Sequence, residues 1–252
     1  MKLISLNVDR GAHRESFLEF LKAKRDDTDV FCFQEVINGG EKELTTFWND
    51  EKRKTWNLLT LIEESLPGHT SFFRPHVGDW AGLATLVRKD VPVMHEGEVF
   101  VFGNSRIYPG SPEWKPPAPR NIQYIGMSLQ GKDITVINFH GLWDKTGKGD
   151  TEQRITQSQN IILFAKSISG DFVLCGDFNL LPDTESIHML EEELHLGNLI
   201  REYGITSTRT PLFPGPEKFA DYILTTAGIN VRDFKVLQDV VSDHAPLFLE
   251  FD

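Results

Sequence analysis

The tetrapeptide Gly176-Asp177-Phe178-Asn179 sets an acid and an amide directly after the apolar run Phe172-Val173-Leu174-Cys175. That run has the length and composition of a strand buried on both faces, so the two polar side chains fall at the rim of a sheet. Ligand-binding groups collect at such rims because strand ends are rigid and the loops beyond them are open. The pattern repeats. Lys2-Leu3-Ile4-Ser5-Leu6 ends in Asn7, Val30-Phe31-Cys32-Phe33 in Gln34-Glu35, and Ile134-Thr135-Val136-Ile137 in Asn138-Phe139-His140. Asp221 lies inside the apolar segment 219–224, and Val240-Val241 leads into Ser242-Asp243-His244 before the apolar run resumes over 245–249. Singly, each of these polar residues also reads as a turn former. As a set they do not, because turn chemistry scatters Gly, Ser and Pro as readily as ligand types.

Carboxylates and amides without a cysteine cluster are hard oxygen donors, which favour magnesium or manganese over zinc. Magnesium keeps several waters and uses few protein carboxylates to meet substrate phosphates. His140 and His244 beside such an ion would supply proton transfer or water orientation. Together these groups point to hydrolysis of phosphoric esters. Asp221 adds weight, since a carboxylate in a buried strand is expensive unless paired; a histidine or a metal-bound network is its expected partner.

In these motifs the chain resembles the endonuclease/exonuclease/phosphatase superfamily. The shared segments are SLNV (Ser5 to Val8), QEV (Gln34 to Val36), NFH (Asn138 to His140), GDFN (Gly176 to Asn179), DYI (Asp221 to Ile223) and SDHAP (Ser242 to Pro246), in the family's order from Leu3 onward. The resemblance implies an α/β fold, a four-layer α/β sandwich of two packed mixed β-sheets flanked by helices. It implies Glu35 as the main metal ligand, assisted by Asn7 and by Asp243 directly or through water. It implies His244 as the base acting on the attacking water, with Asp221 hydrogen-bonded to it. Asp177 and Asn179 would hold the nucleophile and a non-bridging phosphoryl oxygen, and His140 would donate to the phosphoryl group or leaving oxygen. Relatives also place an arginine against phosphate where Arg120 stands, a role suited to a planar fork of donors; a surface ion pair is the alternative. Abasic-site endonucleases generally lack the Asn-x-His pattern kept here as Asn138-Phe139-His140, so abasic-site repair is disfavoured.

The bulk properties narrow the partners. The 26 Lys and Arg against 37 Asp and Glu leave a formal charge of −11, and duplex binding draws on many Lys and Arg contacts. The expected function is a magnesium-dependent phosphodiesterase, a nuclease on DNA or RNA, whose substrate this charge predicts to be single-stranded or locally opened. A small phosphorylated metabolite or lipid head group is the alternative, and a catalytically inactive binding protein the reading from another class. A bound cation and local positives can reverse the field at a cleft; Lys145, Lys148, Arg154, Arg209 and Lys218 are the candidates, most of them reading as solvated surface. Residues 1–252 are expected to form one domain, because the site residues come from both ends and must converge. A monomer is expected. Cys32 and Cys175, both in apolar runs, fit a reducing compartment. No apolar stretch approaches the roughly 20 residues that span a bilayer, and the first residues enter a strand at once, so a cytoplasmic protein without membrane contact is expected.

The positioning elements follow from periodicity. Phe17, Leu18, Phe20 and Leu21 give 15–24 one apolar helical face. Asp150 with Gln153 forms a capping-box pattern opening a helix to about 168, and Asp183 after Pro182 is the expected cap of a short helix with Ile187, Met189 and Leu190. Paired strands are expected near 81–87 and 123–129. Segments 67–80, 103–119 and 204–219 read as loops, the last two rich in proline.

Overall fold

Side-chain alternation decides the layering, because successive residues of a strand face opposite sides. In β1 (Lys2–Asn7) Leu3 joins one core cluster while Ile4 and Leu6 join another. In β2 (Val30–Ile37) Val30 and Cys32 join the first cluster, and Phe31 and Phe33 the second. The outward Phe33 meets Phe17 edge-on at 5.5 Å between ring centroids. Phe17, Phe20 and Leu21 of α1 (Arg14–Lys24) and Leu58, Leu59 and Ile62 of α2 (Leu58–Ser65) complete that outer layer. The computed structural model describes residues 1–40, 55–104, 106–108, 110–129 and 131–252.

Two six-stranded mixed sheets result, flanked by helices. The remaining strands of the first are β3 (His69–Val77), β4 (Ala81–Arg88), β11 (Val231–Val236) and β12 (Leu247–Phe251); its order is β11-β12-β1-β2-β4-β3. The second contains β5 (Val93–Phe102), β6 (Arg120–Leu129), β7 (Lys132–His140), β8 (Asp171–Asp177), β9 (Gly197–Asn198) and β10 (Asp221–Thr225), in the order β5-β6-β7-β8-β10-β9. Over it pack α3 (Glu152–Ala165), through Ile161 and Ile162, and α4 (Glu185–Leu194), through Ile187 and Leu190. A short α5 (Leu199–Glu202) follows β9.

This topology gathers the site. Each sheet has one parallel central pair, β1 with β2 and β7 with β8, so the C-terminal ends of all four strands lie along one rim. Antiparallel neighbours bring their beginnings to the same rim, as Asp221 of β10 does opposite Asp177. Gly176 allows the second pair to close: it stands beside Phe139 with φ +140°, and a Cβ there would lie 1.9 Å from the Phe139 carbonyl oxygen.

Several sequence expectations are corrected. Segment 67–80 is not a loop but carries β3, the edge strand, where Pro75 is tolerated because an edge residue need not donate to the ladder. Asp221 opens its strand instead of lying within it. Residues 240–241 form no strand, and β12 begins at Leu247. Thr151, not Asp150, caps α3 by accepting from Arg154 N, and that helix stops at Ala165. Thr184, not Asp183, precedes α4, and its free amides turn to Asp150, whose carboxylate accepts from Glu185 N at 2.7 Å and Ser186 N at 3.0 Å. Of the expected loop 103–119, Ser105 and Pro109 lie outside the described residues. Among the described residues no helix is long and apolar enough to cross a membrane.

Candidate active site

Asn7 stands at the end of β1 and links the two sheets. Its Nδ2 donates to Glu35 Oε1 at 3.2 Å and to Asp177 Oδ2 at 2.9 Å, while its Oδ1 accepts from Asp9 N at 3.0 Å. Ser242 Oγ fixes the backbone by donating to the Asn7 carbonyl at 2.7 Å.

Glu35 reaches the site through a β-bulge. The register of β2 against β4 shifts between Phe33 and Val36, and Glu35 adopts φ +60°, a conformation that costs a non-glycine residue about 1–2 kcal/mol. A bulge of this kind re-aims a side chain out of the alternation. The carbonyls of Phe33 and Ala84 at the bulge are met from the other sheet by Asn138 Nδ2, at 3.2 and 3.3 Å. Gln34 in turn donates to Asn138 Oδ1 at 2.7 Å. Burial works to raise the Glu35 carboxyl, but Arg10, 3.2 Å from Oε2, with His140 and Asn7, outweighs it and holds the group below its ordinary value.

Across the rim lie the second sheet's acids and imidazoles. Asp177 is buried; burial opposes its charge, yet His244, Lys148 and His140 keep it well below the usual carboxylate range. His244 Nδ1 lies 2.8 and 2.9 Å from the two oxygens of Asp221, which also accepts from Thr208 Oγ1 at 2.9 Å. That contact requires Nδ1–H to donate, leaving Nε2 basic and 3.6 Å from Asp177 Oδ2. Burial disfavours the charged imidazole, but Asp221 and Asp177 outweigh it and raise the His244 pKa. His140 shows the reverse. Burial first, then Arg120, depresses its pKa to about 4, so it is neutral at pH 7. Its Nε2 faces Glu35 and Asp177 at 3.8 and 3.7 Å, and its buried Nδ1 has no hydrogen-bond partner among the described residues.

The donors complete the wall. Arg120 is buried, with Nε donating to the Gly141 carbonyl at 2.9 Å, and burial lowers its pKa to about 10. Asn179, at φ +55°, donates its backbone N–H to Asp177 Oδ1 at 2.9 Å, and its side-chain Oδ1 accepts from Lys148 Nζ at 2.8 Å. Asp243 is half-exposed and pairs with Arg209 at 3.3 Å.

All nine expected site residues therefore meet at one rim: Asn7, Glu35, Arg120, His140, Asp177, Asn179, Asp221, Asp243 and His244. Asp177, Asp221 and His244 bring one ligand atom each within 4.8 Å of one another and could hold an ion. Asp221 and His244 already satisfy each other, whereas Glu35 is partly open to solvent, with Oε1 accepting from Asn7 and Oε2 beside Arg10. The oxygen-rich set suits a hard cation, and the Asn7 amide bridging Glu35 and Asp177 marks where their negative charge converges. Direct ligation by Asn7 would require its amide to turn over and release Asp9 N–H. Sequence reasoning missed Asp9, Arg10 and Thr208, which carry no motif, and named Lys148 and Arg154 only among five candidate positives, most of which read as solvated surface. Both are buried.

No curated protein matches the sequence. Solved structures do match in fold. A mannosyl-6-phosphatase of Bacteroides thetaiotaomicron is 18% identical with a TM-score of 0.74, covering 100% of this chain and 99% of that one. A family protein of Leptotrichia buccalis is 19% identical with a TM-score of 0.73, over 100% and 99%. The human Nocturnin catalytic domain with bound sulfate is 17% identical with a TM-score of 0.66, over 100% and 94%. The model of the Endonuclease/Exonuclease/phosphatase family matches residues 4–244, and the chain belongs to that family.

Proposed function

We propose that this chain hydrolyses phosphoric esters with the help of magnesium or manganese, by in-line attack of water on phosphorus. The observation that carries this reading is the His244–Asp221 couple facing Asp177 across 3.6 Å. Asp221 fixes the imidazole tautomer, so Nε2 receives the water proton while Asp177 orients the water. Arg120, Asn179 and neutral His140 supply donors for the charge that grows on the phosphoryl oxygens, and such positioning and electrostatics provide most of the catalysis in phosphoryl transfer. Glu35, with Asn7 and Asp243 nearby, would hold the cation, whose part is to polarise a phosphoryl oxygen and offset charge.

For the substrate, a small phosphorylated molecule is favoured by Arg120, Lys148 and the Arg209 side chain, which lie buried around the site in a chain of charge −11. A nucleic-acid substrate has one observation of its own. Trp143, 62% exposed on the loop that follows His140, offers a face on which a base could stack.

The test is hydrolysis by purified protein, with magnesium or manganese and with chelator, of single-stranded DNA, RNA, duplex DNA, bis(nitrophenyl) phosphate and nitrophenyl phosphate. Metal-dependent release from either nitrophenyl ester is expected. Failure on every substrate with no metal bound would leave the inactive binding protein. Cleavage of nucleic acid alone would restore the nuclease reading.

A further inference from the structure

Arg154, Lys148 and Arg120 are all buried cations, but only the first has its donors filled by a set of backbone carbonyls. The Arg154 guanidinium donates to the Leu142 carbonyl at 3.2 and 3.1 Å, to Gly147 O at 2.9 Å and to Gly149 O. With Gln157 Oε1 accepting from Leu142 N at 3.1 Å and Leu181 N donating to Lys148 O at 3.0 Å, it winds the 141–149 loop inward. Lys148 is delivered into the site by that winding. It retains 9% exposure, donates once, to Asn179 Oδ1, and forms no ion pair among the described residues. Arg120 retains 7%, donates to the carbonyls of Gly141 and Pro119, and likewise pairs with no carboxylate among the described residues. Asp177 acts on both at longer range, yet neither touches a carboxylate, and a buried cation with donors left over favours an anionic ligand that can take them.

The two cations are linked through one amide and one carbonyl. Arg120 Nε and Asn179 Nδ2 converge on the Gly141 carbonyl at 2.9 and 3.4 Å, and Lys148 holds the other end of the Asn179 amide at 2.8 Å. Because Lys148 occupies Oδ1, the amide of Asn179 keeps its donor end toward Gly141 and Arg120. Two fixed positive charges thus flank one amide beside Asp177. A terminal phosphate carries close to two charges at pH 7, its second pKa being about 6, whereas a phosphodiester carries one.

We propose that Lys148 and Arg120 form a two-cation seat for a doubly charged terminal phosphate, selecting phosphomonoesters over phosphodiesters. The proposal rests on the reading of this site as a phosphoric-ester hydrolase. Lys148 contributes both its charge and its hold on Asn179, and two variants separate these. Lys148→Gln keeps a donor for Asn179 without the charge, and Lys148→Met removes both.

The experiment measures kcat/KM with manganese on nitrophenyl phosphate and on bis(nitrophenyl) phosphate, and the rise in melting temperature caused by inorganic phosphate or dimethyl phosphate. The unaltered protein should prefer the monoester. Both variants should lose at least about tenfold more activity on the monoester than on the diester, an effect of one charge at close range, and should lose the stabilisation by phosphate. A diester preference in the unaltered protein, equal losses on both esters, recovery of selectivity in Lys148→Gln, or undiminished stabilisation of Lys148→Met by phosphate would each overturn it. If the unaltered protein hydrolyses neither ester, the reaction assigned to the site fails. The melting comparison, which needs no turnover, still decides the seat.

Discussion

His244 donates from Nδ1 to a carboxylate that is itself held by Thr208, and its other nitrogen faces Asp177. Among the described residues no other group at the rim is a basic nitrogen so oriented: His140, depressed to about 4, is a poor proton acceptor at neutral pH. His244→Ala should therefore cut turnover of whichever ester is hydrolysed by at least about a hundredfold. The loss should fall in kcat, with far-ultraviolet circular dichroism unchanged, because the ring sits at the rim and not under the sheets. Near-native kcat in the purified variant would remove His244 from the mechanism. At the same scale Arg154 and Lys148 show how buried cations take two roles. The arginine is satisfied by carbonyls and builds a loop, and the lysine borders the reacting centre with donors to spare.

At the scale of elements, the bulge in β2 is the device that turns Glu35 into the site, and Asn138 of β7 is what holds it from the opposite sheet. Asn138→Ala would take the amide donor from the buried carbonyls of Phe33 and Ala84 and one acceptor from Gln34, which keeps the Cys32 carbonyl. Leaving such groups unpaired costs about 1–3 kcal/mol. Urea unfolding should show that loss. Titration with manganese should show weaker binding, since Glu35 loses its fixed backbone; unchanged manganese affinity would separate the bulge from the metal site. Asp150 is an N-cap delivered from a distant loop, accepting from Glu185 N, Ser186 N and Ser186 Oγ. Asp150→Ala should cost about 1 kcal/mol, the usual worth of a cap. Substitution of Asp183 should do much less, which a pair of thermal melts would check.

Taken as a whole, the molecule has a net charge of −11 and gathers buried cations, imidazoles and carboxylates between the sheets at one rim. His76 shares that interior: burial, then Arg120 and His140, hold its pKa well below the ordinary value, with Nδ1 donating to Asn121 Oδ1 at 2.8 Å. A histidine with a depressed folded pKa binds its proton more readily when unfolded. Its contribution to stability is thus complete above about pH 6.5 and is lost as the pH falls below that, by up to about 1.4 kcal/mol per unit. His244 has the opposite sign: its raised pKa stabilises the fold below the unfolded value, and that contribution fades as the pH rises. The metal-free protein should be most stable near neutrality and should weaken from pH 6.5 to 5.5 in urea unfolding. In His76→Gln the acid-side fall should be shallower, and an unchanged slope would assign it to other groups.

What could be read along the chain was whatever has a short period. Apolar runs gave the strands, helical spacing gave α1, and an acid, amide or imidazole at successive strand ends gave most of the candidate site residues and their common chemistry. What could not be read was contact between distant segments. Asp150 meets Ser186 across 36 positions, Lys148 meets Asn179 across 31, and Gln34 meets Asn138 across 104. A lysine beside glycines looks solvated until a buried arginine folds its loop inward, and Pro75 looks like a loop residue until an edge position excuses its missing donor. Local pattern fixes which residues face the rim because it depends only on backbone geometry. Which charges are left unpaired there depends on packing between sheets, and only the tertiary structure decides that.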